Sequence, residues 1–152
     1  MKAFTTAICI FATTAFAEEG FTPLFNGKDL TGWAQHSGKA EYRVEDGAVV
    51  GKTVANTGNS FMCTTQEYGD FVLEFDVRWT GEIDSGVELR KPNVQLQLGV
   101  SRSLKRDMTG SFYVDSTIKY PEAGQAKTAT QLMHPDGQWN TFRLEAKGPE
   151  FT

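Results

Sequence analysis

The sequence of 152 residues predicts an all-β fold, built as a two-sheet antiparallel sandwich. Apolar and polar residues alternate with a period of two along most of the chain, which is the repeat of a half-buried strand. Gly, Pro, Asn and Asp separate these runs, and none of the runs has the apolar stripe of an amphipathic helix. Many short strands without crossover helices are typical of two packed antiparallel sheets.

The first 17 residues have the three parts of a secretory signal peptide. Lys2 supplies a positive charge, residues 3–16 are mostly apolar, and Ala15-Phe16-Ala17 has the small-x-small pattern that precedes a cleavage site. A buried N-terminal helix is the alternative interpretation, but it does not explain the three-part order. We therefore expect cleavage after Ala17, a single β-sandwich domain over residues 18–152, and a secreted or periplasmic location.

The strands at the centre of the prediction have one apolar and one polar face. In residues 70–80, five large apolar residues share one face: Phe71, Leu73, Phe75, Val77 and Trp79. Residues 93–100 repeat this pattern, with Asn93, Gln95 and Gln97 on the outer face. A helix would scatter these residues around its circumference, so both segments are predicted to be strands with one face in a core.

The remaining strands follow from turn residues and shorter runs. Asp46-Gly47 suits a type I′ turn, in which both residues need positive φ, and predicts a hairpin of residues 42–45 and 48–51. Three further strands are predicted at residues 86–90, 111–114 and 140–146. Residues 101–110 are charged and too long for a hairpin turn, so we expect a surface loop there that borders a site.

Composition excludes several classes of protein. Aromatic residues make up 12% of the chain, which excludes a disordered protein. The formal net charge is −4, so no basic excess can neutralise phosphates, and we expect no nucleic-acid partner. Beyond the leader no segment is apolar over the length that a membrane span needs. His36 and His134 are the only histidines, too few for a His-rich metal site.

Six short motifs in a fixed order are the most specific feature of the sequence. The first covers residues 20–33, Gly-Phe-Thr-Pro-Leu-Phe-Asn-Gly-Lys-Asp-Leu-Thr-Gly-Trp. The others are Asp46-Gly47, Tyr68-Gly69-Asp70-Phe71, Ser85-Gly86-Val87 with Arg90, Thr109-Gly110 with Tyr113, and Trp139-Asn140. Together they resemble the 3-keto-disaccharide hydrolase domain family, and the resemblance covers essentially the whole chain after the leader.

The resemblance implies a concanavalin A-like, LamG-like jelly roll that meets carbohydrate on the polar outer face of one curved sheet. The chain departs from the family pattern at two positions. Asp84 stands where an Asn usually precedes Ser-Gly, and Gln95 replaces a usual glutamate. Members of the family typically continue through further strands, so we expect the domain to lack its last strands and to be incomplete at its C-terminus.

The resemblance also implies a reaction, the cleavage of the glycosidic bond of 3-keto-glycosides. A ketone at C3 acidifies the proton at C2, a base removes that proton, the enolate expels the group at C1, and water adds back. Such a site needs a base, a cationic group at the enolate and an acid for the leaving group. Glu88 is the candidate base, Arg90 or Lys105 the candidate enolate stabiliser, and Tyr113 or Asp107 the candidate acid.

Binding residues and alternatives complete the hypothesis. Ser85, Gln95 and Gln97 are candidates for binding sugar hydroxyls, which need donors and acceptors together. No cofactor is required by the sequence; a divalent cation is compatible with a jelly roll, but no contiguous calcium loop identifies its ligands. There are two alternatives to an enzyme. One is a non-catalytic carbohydrate-binding LamG-like module, which the amide at position 95 favours, and the other is a purely structural surface domain.

Overall fold

A computed structural model describes residues 20–89, 94–115, 117, 133–134 and 136–152, together with the backbone of residues 7–11. All regular secondary structure in these ranges is β-strand, and every strand pair is antiparallel. The predicted all-β fold class is therefore confirmed, with the antiparallel sheets from which a jelly-roll sandwich is built. No helix in the described ranges has the length and hydropathy needed to cross a membrane.

The strands lie in two compact units, Met1–Trp79 with Asp136–Thr152, and Thr80–Pro135. The strands of the first unit are β1 (Ala7–Phe11), β2 (Trp33–His36), β3 (Glu41–Glu45), β4 (Ala48–Lys52), β5 (Phe61–Thr64), β6 (Phe71–Trp79), β11 (Asn140–Lys147) and β12 (Glu150–Phe151). The strands of the second unit are β7 (Asp84–Leu89), β8 (Val94–Ser101), β9 (Arg106–Asp107) and β10 (Phe112–Tyr113).

The first unit contains a six-stranded sheet in the order β12-β11-β6-β1-β4-β3 and a separate pair, β2-β5. Its central strand β1 pairs with β4 on one side and β6 on the other. This strand falls inside the predicted signal peptide. The alternative interpretation of the leader is a buried N-terminal helix, whereas residues 7–11 form a strand. Cleavage after Ala17 stays a prediction.

Strand β6 has the alternation that the sequence predicts. Phe75 and Val77 are buried, whereas Glu74 between Leu73 and Phe75 is exposed. Phe75 is paired with Phe142 of β11, and the two rings stack with centroids 5.4 Å apart. The apolar face of β6 is therefore part of the core of the first unit. Burial of these side chains stabilises the unit by removing apolar surface from water.

The hairpin predicted around Asp46-Gly47 is also present. The two residues have φ values of 50° and 74°, and Glu45 pairs with Ala48 directly beside them. Positive φ at both central residues is the signature of the type I′ turn, whose twist matches that of the flanking strands. The predicted strand at residues 140–146 corresponds to β11.

The second unit holds the sheet that carries the candidate site, in the order β10-β8-β7, with β9 paired to the far end of β8. One face of this sheet is apolar, and Leu89, Leu96 and Leu98 on it are buried. The strands predicted at residues 86–90, 93–100 and 111–114 correspond to β7, β8 and β10, with ends that differ by one or two residues. Arg90 and Asn93 lie outside the described residues.

The prediction of a surface loop over residues 101–110 is wrong. Strand β8 continues to Ser101, residues 102–105 form a turn, and β9 returns along β8 with Ser101 paired to Arg106. Two left-handed residues make this hairpin possible: Lys105 (φ 54°) ends the turn, and Gly99 (φ 83°) bends β8. The backbone N–H of Gly99 donates to Thr109 Oγ1 at 2.9 Å, so this buried donor is paired at the bend.

Candidate functional site

A row of three polar side chains crosses the outer face of the β10-β8-β7 sheet. Gln95 of β8 pairs with Glu88 of β7 on one side and with Tyr113 of β10 on the other. Residues directly opposite on antiparallel strands project from the same face, so the carboxylate, the amide and the phenol share one surface. Neighbouring strands lie about 4.8 Å apart, which separates β7 from β10 by about 10 Å, enough to span a pyranose ring.

A chain of side-chain hydrogen bonds runs beside this row. Gln97 Nε2 donates to Asp84 Oδ1 at 2.8 Å, and Gln95 Nε2 donates to Gln97 Oε1 at 2.6 Å and to the Ser85 carbonyl at 3.1 Å. We call Asp84, Gln97 and Gln95 the amide relay. It joins the rim of the sheet to the centre of the polar row.

Gln97 lies on the face of β8 opposite Leu96 and Leu98, as predicted, but the residue is only 1% exposed, so in this structure it is not open to a sugar hydroxyl. The amide is held between Asp84 and Gln95, and the fully buried Ser111, whose carbonyl accepts from Gln97 N at 2.9 Å, lies on the neighbouring chain segment. The turn that follows β8 is tied to the same place, since Arg102 N donates to Asp84 Oδ2 at 3.1 Å. Gln97 is thus a satisfied buried amide, and the half-buried Gln95 is the relay amide that reaches the surface.

Gly86 makes room for Gln95. A Cβ atom at position 86 would lie 2.6 Å from Gln95 Cγ and 2.7 Å from Gln95 Nε2. The Gln95 side chain therefore lies flat across β7 at the one residue that has no side chain, and from there it reaches the Ser85 carbonyl. The Ser-Gly-Val motif provides this crossing point.

Tyr113 is connected to the turn after β8. Its hydroxyl shares a hydrogen bond with Ser103 Oγ at 3.0 Å, and Ser103 Oγ shares another with Ser101 Oγ at 3.1 Å. The turn therefore orients the phenol oxygen at the edge of the polar row.

Other predicted site residues stand apart from the row. The Ser85 side chain shares the face of Leu98, its pairing partner, so Ser85 offers the row only its carbonyl. Asp107 Oδ1 accepts from Thr109 N at 2.8 Å and Thr109 Oγ1 at 2.7 Å, which braces the bend of β8. Lys105 is exposed at the end of the turn, and Arg90 lies outside the described residues.

Sequence reasoning misses two contributors to this site, Asp84 and Ser103. Asp84 stands out in the sequence only as a departure from the family pattern, yet it and Gln95, the other departure, lie at the two ends of the amide relay. The spacing of Asp84 and Gly86 on one face of β7 is the available signal. Ser103 gives none, because its contact with Tyr113 depends on the hairpin that the sequence does not predict.

The polar face of β6 in the first unit is occupied by cross-strand pairs. Glu74 forms an ion pair with Arg143, and Asp76 Oδ1 accepts from Thr141 Oγ1 at 2.5 Å. The Arg78 guanidinium lies 4.7 Å from the centroid of the Trp139 ring. These contacts make the charged side chains of β6 cross-strand surface partners. Across the described ranges, no three His, Cys, Asp or Glu side chains cluster as a metal-ion site.

An antiparallel sheet with a carboxylate, an amide and a phenol in one row has the donors and acceptors that carbohydrate hydroxyls require. A comparison with known families matches residues 20–152 to the 3-keto-alpha-glucoside-1,2-lyase-like domain. The chain belongs to this family, as its motifs predict, and the family ties it to carbohydrate chemistry. A search of curated proteins found no match.

Proposed function

We propose that the chain is an exported enzyme that breaks the glycosidic bond of 3-keto-glucosides by elimination across C1 and C2 and then hydrates the product, so that the net reaction is hydrolysis. The observation that carries this proposal is the row Glu88, Gln95 and Tyr113, which places a carboxylate and a phenol on either side of a ring-sized span. The family description, which names a 1,2-lyase of 3-keto-glucosides, supports the same chemistry.

Glu88 is the proposed base. It is exposed at the β7 edge of the row, where its carboxylate can reach a substrate proton. Removal of the C2 proton leaves its electron pair in an enolate over C2, C3 and O3. As the C3 carbonyl re-forms, a C1–C2 double bond appears and the C1–O bond breaks, which releases the aglycone oxygen. Addition of water to the resulting enone, with a proton returned to C2, gives the free 3-keto-sugar.

Tyr113 is the proposed acid for the leaving group. It lies at the β10 edge, opposite Glu88 across Gln95, and its hydroxyl is oriented by Ser103. Asp107 is less suited to this role, because its Oδ1 already accepts two hydrogen bonds from Thr109. Lys105 and Arg90 remain the proposed cationic groups at the enolate oxygen.

The test uses a 3-keto-glucoside with a nitrophenyl aglycone. The proposal predicts release of nitrophenol, which absorbance follows, and a sugar product whose mass identifies either the hydrated 3-keto-sugar or the enone. The enone shows elimination directly, and the free 3-keto-sugar supports it when the reaction in D2O places deuterium at C2. The enone alone would make the chain a lyase without the hydration step. Failure to release nitrophenol at any pH between 5 and 9 would contradict the proposal.

A non-catalytic carbohydrate-binding module is the second candidate. The observation that favours it is the amide of Gln95 at the centre of the row, where no ionisable group stands. This candidate predicts saturable binding of an unmodified glucoside in a calorimetric titration, without turnover of the 3-keto derivative. Binding together with turnover would instead favour the enzyme.

A further inference from the structure

We propose that Asp84 is a positioning residue that sets the direction of the amide relay, and that Gln95 thereby selects a ligand hydroxyl that donates a hydrogen bond. The two amides of the relay lie between two groups that can only accept, the Asp84 carboxylate on one side and the Ser85 carbonyl on the other. Asp84 Oδ1 requires the Nε2 group of Gln97, which turns Gln97 Oε1 toward Gln95. Both acceptors beside Gln95 then take its two N–H bonds.

The consequence concerns the atom that Gln95 leaves for a ligand. With both N–H bonds used, Oε1 is the remaining polar atom, and within the described part of the chain no group donates to it. Gln95 is also paired in register with Glu88, whose carboxylate is an acceptor when ionised. This part of the row therefore fits a ligand that donates, such as a free sugar hydroxyl, and disfavours a ligand that presents a carbonyl or an ether oxygen there.

Asp84→Asn should disturb the relay in a defined way. In one orientation the new NH2 group faces the Arg102 N–H, so that two donors oppose each other. In the other orientation the NH2 group faces Gln97, and the side-chain amides of Gln97 and Gln95 must both turn over. Reversal leaves the Ser85 carbonyl without its donor and makes Gln95 present N–H bonds outward. Either outcome loses one buried hydrogen bond, and reversal also gives the ligand a donor in place of an acceptor.

Gln95→Glu should disturb the amide relay from its other end. The new carboxylate cannot donate, and it would face two further acceptors, Gln97 Oε1 and the Ser85 carbonyl oxygen. The double variant Asp84→Asn/Gln95→Glu exchanges the carboxylate and the amide. The amide introduced at position 84 then accepts from Arg102 N and donates to Gln97 Oε1. Gln97 Nε2 in turn donates to the carboxylate introduced at position 95, whose second oxygen faces outward as an acceptor. The exchange therefore rebuilds the two side-chain hydrogen bonds in the reverse direction and restores an outward acceptor, although the Ser85 carbonyl loses the donor that Gln95 supplies.

The direction itself is measured on the unsubstituted chain by NMR, independently of any activity. Through-hydrogen-bond couplings should link Gln97 Nε2–H to the Asp84 carboxyl carbon, and Gln95 Nε2–H to the Gln97 amide carbon. A coupling from Gln97 Nε2–H to the Gln95 amide carbon, or rapid exchange of both amide groups with solvent, would overturn the proposal. This readout does not depend on the proposed function.

The selection of a donating hydroxyl rests on the proposed function and is measured by kinetics on the 3-keto-glucoside. Asp84→Asn should raise KM about tenfold, the factor that corresponds to one hydrogen bond of about 1.4 kcal/mol, with kcat changed less than about threefold. The double variant should bring KM back to within about threefold of the original value. Asp76→Asn, which alters a half-buried carboxylate on β6 outside the site, is the matched control and should leave KM unchanged.

The outcomes separate the two proposals. A double variant whose effect is the sum of the single effects, or an Asp84→Asn variant that lowers kcat alone, would overturn the positioning role. A second outcome is that the original chain and its variants all fail to turn over the substrate while the NMR couplings are as expected. The proposed function then fails, but the direction of the relay stands. The KM comparison is then replaced by dissociation constants for an unmodified glucoside and for its deoxy analogues.

Discussion

The side chain of Gln95 lies directly over the backbone of Gly86. A Cβ atom at position 86 would come within 2.6 Å of Gln95 Cγ, so the two residues fit together only because position 86 is glycine. Gly86→Ala should therefore displace Gln95 and, because the same Cβ would lie 2.4 Å from the Leu96 carbonyl oxygen, shift β7 against β8. We expect a loss of about 2 kcal/mol or more in the free energy of unfolding, measured with urea.

Gly58→Ala is the matched control for this substitution. A Cβ at Gly58 has no atom within 4 Å, and its φ is not in the left-handed region. The control should change stability by less than about 1 kcal/mol, and in the stabilising direction. Equal effects of the two substitutions would show that the crossing of Gln95 over Gly86 is not a tight contact.

Gln97 is expected to be the most sensitive polar position of the sheet. Gln97→Leu leaves Asp84 and Gln95 without their shared partner and should cost about 1–3 kcal/mol. Gln97→Glu places a second carboxyl group against Asp84 in a buried site, which raises the pKa of the new group. Its penalty should exceed that of Gln97→Leu at pH 7 and shrink as the pH falls through the raised pKa of the new group toward about 4, below which the group is protonated in both states.

Urea unfolding at pH 7 and pH 4 measures these effects. Gln35→Leu is the control, because the exposed Gln35 amide donates to the Ala40 carbonyl at the surface and its loss should cost less than about 1 kcal/mol. Penalties at Gln97 no larger than at Gln35 would mean that the relay contributes nothing to the fold.

The predictable parts of the fold are those that local physics decides. Strand β6 is predicted to within a residue at each end because alternation along one strand reports directly which face is buried. The turn at Asp46-Gly47 is predictable because positive φ at two successive residues is a local requirement. Neither inference needs knowledge of which strands are neighbours.

The burial of Gln97 is not predictable by the same logic. An outward polar residue on a strand is normally solvated, and what encloses Gln97 is a set of contacts between residues distant in sequence, including Asp84, thirteen positions away. The hairpin after β8 escapes prediction for a related reason, since it depends on left-handed backbone at Lys105 and on a bond between Gly99 and Thr109. Charge alone makes that segment look like a loop.

The turn between Asn26 and Thr31 should contribute to the free energy of unfolding in a way that is lost in acid. Hydrogen bonds from the side chain of Thr31, from the Asn26 amide and from Thr31 N–H hold the pKa of Asp29 at about 2, below its ordinary value of 3.8. Because the pKa is lowered by folding, the contribution is present above about pH 4 and is lost as the pH falls toward 2. NMR titration of the Asp29 carboxyl carbon measures this pKa directly.

Asp29→Asn should lower the urea midpoint at pH 7 and make less difference at pH 2, where the original carboxyl group is protonated as well. A difference between the two chains that is the same at both pH values would contradict this origin. Asp46→Asn is the control, because Asn suits the left-handed backbone at this turn position equally well.

The predicted leader can be tested together with strand β1. Export of the full chain from a bacterial host should yield a mature N-terminus at Glu18, read by mass spectrometry of the secreted product. In vitro, residues 18–152 should unfold at a urea concentration about 1 M lower than residues 1–152, because β4 and β6 lose the partner between them. Identical midpoints would mean that β1 does not stabilise the sheet, and an unprocessed secreted chain would contradict the signal peptide.

Proton abstraction by Glu88 is the central claim, and isotope exchange tests it most directly. The chain is incubated with a 3-keto-glucoside in D2O while NMR follows the C2 proton and absorbance follows the aglycone. Glu88→Gln should slow both loss of the C2 proton and aglycone release by about 100-fold or more, whereas Glu145→Gln, on an exposed position of β11, should leave both unchanged. Undiminished exchange and release in Glu88→Gln would contradict the account.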